Sequence, residues 1–147
     1  MPVSNMPIPV PGSYPMATFG NPEPIQGTLF PSAVYTLGNS PYNTADMFNP
    51  THHGITLFIN ISNVGAAGVV TIAVQEKDPV SGSYVSISLP SMPAMAANGA
   101  FVIVISPGIL ETTTEGEYSI TLSDIWRLQM TISGNSVTCS VGGVYTI

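Results

Sequence analysis

Ile55-Thr56-Leu57-Phe58-Ile59-Asn60-Ile61-Ser62 is the stretch whose reading decides the fold class. Ile55, Leu57, Ile59 and Ile61 recur at every second position, with Thr56, Asn60 and Ser62 opposite, and a period of two places the four apolar side chains on one face of a strand. The same period returns downstream. Val70, Ile72 and Val74 alternate with Thr71 and Gln75, and Trp126, Leu128, Met130 and Ile132 face inward with Arg127, Gln129 and Thr131 outward. Val137, Cys139 and Val141 carry it into a last strand that runs from Val137 to Ile147, where Gly142-Gly143 marks a bulge or a close-packing site.

Turn residues separate these runs. Gly65 and Gly68 lie between the first two, and Asp78-Pro79-Val80-Ser81-Gly82-Ser83 closes a hairpin whose return strand is Tyr84 to Leu89, with Val85, Ile87 and Leu89 on one side. Pro90 to Gly99 reads as a crossing loop. The run Phe101 to Ile105 is apolar on both faces, which predicts a central strand covered by the opposite sheet on one side and by the arm or a neighbour on the other. Short strand material at Tyr118 to Leu122 and a turn at Gly134-Asn135 complete seven or eight strands. The expectation is an all-β chain, one β-sandwich or jelly roll over residues 51–147.

Residues 1–50 read differently. They hold ten of the fourteen prolines and two charged side chains, Glu23 and Asp46. Each proline ring removes a backbone donor and restrains its predecessor to extended conformations, so the segment is expected to run as a long Pro-rich arm. Its apolar side chains want cover. Ile8, Val10, Tyr14, Phe19, Ile25, Leu29, Phe30 and Tyr35 are the candidate partner contacts, and removal of residues 1–50 is expected to leave the sandwich folded while weakening assembly.

Composition narrows the function. Charged residues are 7% of the 147, against roughly 25% in an average soluble domain, which leaves a surface of hydroxyls, amides and apolar atoms. Lys77 and Arg127 are the sole basic side chains and the net charge is −6, which argues against nucleic acid and anionic membranes as partners. Arg127 and Gln129 on an outward strand face are candidate interface residues. No stretch has the length of a membrane span, and Met1-Pro2-Val3-Ser4-Asn5 lacks the basic and apolar regions of a secretory signal, so synthesis in a host cytoplasm is expected.

Catalytic ingredients are sparse. His52 and His53 are adjacent and point to opposite faces of an extended chain, which disfavours a shared metal. Glu111, Glu115, Glu117 and Asp124 form an acidic loop without the ordered spacing of a calcium site. Cys139 has no intrachain partner and reads as a buried, inert thiol. No catalytic residue, cofactor or metal site is assigned, and no enzyme activity is expected.

Four pieces occur in an order that resembles small structural proteins of tailed bacteriophages. They are Val69 through Tyr84 with its Glu76-Lys77-Asp78-Pro79 turn, Ser106-Pro107-Gly108-Ile109, Ile125-Trp126-Arg127-Leu128, and Tyr145-Thr146-Ile147 after Ser140-Val141-Gly142. The likeness covers roughly residues 55–147. It implies a virion component without enzymatic activity, of the capsid decoration or cement type. Such a protein sits on the head surface, contacts the major capsid protein, forms homotrimers and stabilises the capsid. Two rivals stay open: a phage tail structural protein, and a carbohydrate-binding or adhesin module using Tyr14, Tyr35, Tyr42, Tyr84 or Tyr118.

Overall fold

The computed structural model describes residues 26–49, 54–87, 89, 95–108 and 116–146. Ten strands form two five-stranded sheets: β1 (Gln26–Thr36), β2 (Tyr42–Asn43), β3 (Met47–Phe48), β4 (Gly54–Val64), β5 (Val69–Lys77), β6 (Tyr84–Ser86), β7 (Gly99–Ile105), β8 (Glu117–Tyr118), β9 (Ile125–Ser133) and β10 (Ser136–Thr146). Sheet one has the order β1-β10-β4-β7-β8. Sheet two has the order β2-β9-β5-β6, with β3 also on β9. All pairings are antiparallel except β7 with β8.

That order resolves which all-β architecture is present. Without the two-residue strands β3 and β8, eight strands remain, and they pair first with last (β1·β10), second with seventh (β2·β9), third with sixth (β4·β7) and fourth with fifth (β5·β6). Such nesting arises when one long hairpin is rolled so that alternate pairs fall in opposite sheets. The sandwich is therefore a jelly roll.

Alternation builds the core between the sheets. Ile55, Leu57, Ile59 and Ile61 of β4, Ile103 and Ile105 of β7, and Val137, Cys139 and Val141 of β10 meet Val70, Ile72 and Val74 of β5 and Trp126, Leu128, Met130 and Ile132 of β9; all are buried. These inward sets are the ones that the period-two reading selects. Trp126 is fully enclosed, stacks edge-on against Tyr145, and donates its indole N–H to the Tyr145 hydroxyl at 3.0 Å.

Two of the crossings between the sheets press together at one end. The β4–β5 link passes through Gly65 and Gly68, and the β9–β10 link through Gly134, whose φ is +75°. A Cβ on Gly134 would lie 2.0 Å from the Ala67 carbonyl oxygen, so only glycine fits where the two arches press together. Gly65 N–H donates to the Ser136 carbonyl and Asn135 N–H to that of Ala66, tying one arch to the other.

The sandwich begins earlier than residue 51. Gln26 to Thr36 is an eleven-residue strand paired with β10, and Phe30 and Tyr35 are 5% and 7% exposed within the chain's own core. Leu29 packs against that core. These three side chains are thus covered by their own sandwich. Pro31 did not prevent the strand because β1 is an edge, where a missing donor faces away from the ladder, and register shifts on both sides of Phe30 absorb the distortion. Ile8, Val10, Tyr14, Phe19 and Ile25 lie outside the described residues, as do His52, His53, Glu111 and Glu115.

Two further expectations change. The return strand of the hairpin stops at Ser86, and Val85 is 62% exposed at the sheet edge. Val102 on β7 is 45% exposed, so no described residue covers the outer face of that strand. Gly142-Gly143 is a close-packing site: a Cβ on Gly143 would lie 3.0 Å from both Ile55 Cδ1 and Leu29 Cδ1.

Candidate assembly interface

The two outer faces of the sandwich have opposite characters. On sheet two, Arg127 and its neighbours form a closed polar cluster. The Arg127 guanidinium lies 3.6 Å from the centroid of the Tyr84 ring, and its Nε donates to Gln75 Oε1 at 2.7 Å. Gln75 Nε2 donates to Ser86 Oγ, the Lys77 ammonium donates to Asp46 Oδ2 at 2.7 Å, and the Tyr84 hydroxyl donates to Asp46 Oδ1. Register explains the convergence, since Gln75 pairs with both Arg127 and Ser86, and Lys77 pairs with Tyr84. Asp46 reaches the cluster from the segment between β2 and β3. Its carboxyl is held below the usual carboxylate range, chiefly by the hydrogen bond from Lys77 and next by that from Tyr84, while the same bond raises the Lys77 ammonium.

Both basic side chains of the chain are therefore engaged within the molecule. The candidate interface residue Arg127 is clamped between an aromatic ring and a buried amide, and Gln129 donates to Asn43 Oδ1 at 3.1 Å. Neither was expected to have an internal partner, because the pairing of β5, β6 and β9 that brings them together is non-local.

Sheet one is the reverse. Its strands β1, β10, β4 and β7 contain no Asp, Glu, Lys or Arg. Register places Thr28, Gly142, Phe58 and Val102 in one row across the outer face, and Val144, Thr56 and Val104 in the next, which ends at Glu117 of β8. Phe58 is 49% exposed, and Gly142 beside it leaves a shallow groove lined by Gly27, Thr28, Phe58, Gly143 and Val144. A large apolar side chain in the otherwise polar half of an alternating strand was the sequence signal for this face. Phe58 between Thr56 and Asn60 carried it.

Edges offer less. β1 is interrupted by Pro31 and two register shifts, β8, β2 and β3 have two residues each, and β6 has three. Short, bulged or proline-bearing edges resist strand addition, so contact with another chain falls to a face.

Among the described residues no catalytic arrangement appears. No group of three or more His, Cys, Asp or Glu is placed to hold a metal among the described residues. Cys139 is buried 3.7 Å from Met130 Sδ, and burial pushes its thiol up to about 11. Of the tyrosines proposed for glycan stacking, Tyr14 lies outside the described residues and the other four are engaged: Tyr35 and Tyr42 stack edge-on at 4.9 Å, Tyr118 is buried, and Tyr84 lies under Arg127.

Fold and site together define the class: a jelly-roll β-sandwich with one locked polar face and one charge-poor, partly apolar face. No protein-family description matches the sequence, and no curated protein does. Among solved structures, a chain from the structure of infectious bursal disease virus, Gx strain, aligns at a TM-score of 0.42 and 13% identity, over 84% of this chain and 33% of that one. A chain from the Gt strain of the same virus aligns at 0.44 and 7%, over the same shares. The present chain thus spans about a third of the length of the chains it aligns with.

Proposed function

We propose that the protein is a structural component of a virion, a decoration or cement protein on the outer surface of a tailed-phage head. It contacts the major capsid protein, associates with copies of itself, as trimers in the resemblance, and stabilises the head. The observation that carries this reading is the outer face of sheet one, where β1, β10, β4 and β7 bring no charged side chain and Phe58 and Val102 stand half-exposed beside Gly142, with Glu117 of β8 at the far margin. Such a face suits permanent cover by protein better than solvent, and contact centred on Phe58 requires no charge to be desolvated.

Two further points support it. The likeness of residues 55–147 to small phage structural proteins falls within the sandwich, and jelly rolls recur in viral capsid and lectin domains. Of those two uses, glycan binding is disfavoured by the engagement of Tyr35, Tyr42, Tyr84 and Tyr118. Residues 1–25, which precede the sandwich, remain the proposed assembly arm.

The test is capsid rupture. A ligand that binds only the intact state stabilises it by mass action, so added protein raises the rupture temperature of heads that lack it, in proportion to occupancy. Phe58→Asp abolishes the rise while leaving the isolated protein folded. An unchanged rupture temperature at saturating wild-type protein contradicts the proposal.

A further inference from the structure

We propose that the outer face of sheet one is the receptor for the N-terminal segment of this same protein, residues 6–19, laid over the row Thr28, Gly142, Phe58 and Val102. The segment is that of the same copy, whose Gln26 lies at the rim of the face; the inference rests on the proposed reading of this face as one covered by protein, the docked segment then forming part of the surface that meets the head.

Position is the first argument. The described chain starts at Gln26, which pairs with Val144, and the next two residues, Gly27 and Thr28, line the groove beside Phe58. Twenty-five residues therefore begin at its rim.

Chemistry is the second. Met6-Pro7-Ile8-Pro9-Val10-Pro11-Gly12-Ser13-Tyr14-Pro15-Met16-Ala17-Thr18-Phe19 has no charged side chain, and the four strands that supply the row, β1, β10, β4 and β7, have none either, Glu117 of β8 lying beyond them. Four prolines in fourteen residues remove the donors that a full strand ladder would use, so the segment is suited to dock by its side chains on a face. Proline-rich segments bind aromatic-lined grooves in that manner, losing little conformational freedom.

Reach is the third. Fourteen residues at about 3.1 Å each span roughly 43 Å. The row crosses four strands about 4.8 Å apart, roughly 14 Å in all, and an eleven-residue strand makes the face roughly 36 Å long in the other direction, so the segment crosses the row with length to spare. Gly20-Asn21-Pro22 supplies turn chemistry between the segment and β1.

The test is cross-linking in the full-length chain. Val10→Cys combined with Asn60→Cys, exposed on the outer face of sheet one, is treated with a short bis-maleimide; Cys139 is left in place because it is buried. The comparison pairs Val10→Cys with Thr131→Cys, exposed on the outer face of sheet two. The expected yield at residue 60 exceeds that at residue 131 about tenfold, and Phe58→Asp removes the excess, as loss of cover for a half-exposed phenyl predicts. Circular dichroism verifies that each variant is folded. Equal yields at the two faces, or a yield at residue 60 indifferent to Phe58→Asp, overturn the proposal.

Discussion

Asp46, Lys77, Tyr84 and Arg127 show how few charges this chain can leave free. Two cations and one carboxylate join strands from three parts of the sequence, and the Asp46 carboxyl is held down chiefly by Lys77. A carboxyl whose folded value is depressed contributes stability above its unfolded value, about 3.9, and loses that contribution as pH falls through the folded one. The Asp46 tie is thus intact at pH 7 and released in acid. Thermal unfolding followed from pH 7 to 3 is expected to show a shallower acid limb for Asp46→Asn than for wild type; identical limbs contradict the role. In the core, Trp126→Ala empties the largest enclosed side chain and is expected to cost about 3–5 kcal/mol in denaturant unfolding. The Cys139 thiol, with its value pushed up to about 11, is expected to react with a thiol reagent only at the rate of unfolding. Cys139 was legible in the sequence because alternation alone placed it inward. The Tyr84 cluster was not, since each of its residues is an ordinary outward side chain until register assembles them.

At the scale of elements, β4, β5, β9 and β10 were legible for the same reason, each being long enough to show several periods. β2, β3 and β8 have two residues each, too few for any period to exist. β1 was obscured by proline, whose cost depends on whether its nitrogen faces a partner strand. The consequence is a boundary near residue 26. Removing residues 1–25 is expected to leave the thermal transition cooperative. Removing residues 1–50 takes away Phe30, Tyr35 and the partner of β10, turning an eleven-residue strand into an open edge, and is expected to give aggregation in place of a folded domain. Cooperative, soluble unfolding of that shorter chain contradicts the placement of β1. Gly134→Ala, at a φ of +75° and against the Ala67 carbonyl, is expected to cost more than about 1 kcal/mol, because both crossings must move apart.

The described molecule is a jelly roll with one polar face already satisfied and one face whose four long strands carry no charge. Sandwich architecture followed from alternation, whereas the rolled-hairpin order did not, because pairing of first strand with last is set by contacts a hundred residues or more apart, such as Thr36 with Ser136 or Gln26 with Val144. Function has the same origin. What the composition implied as a surface suited to cover becomes, once the strands are ordered, a particular face centred on Phe58 and Gly142. The most direct measurement is immunogold labelling of intact phage particles with an antibody to this protein. Gold distributed over the head is the predicted result; gold confined to the tail, or particles without label, contradicts a head decoration protein.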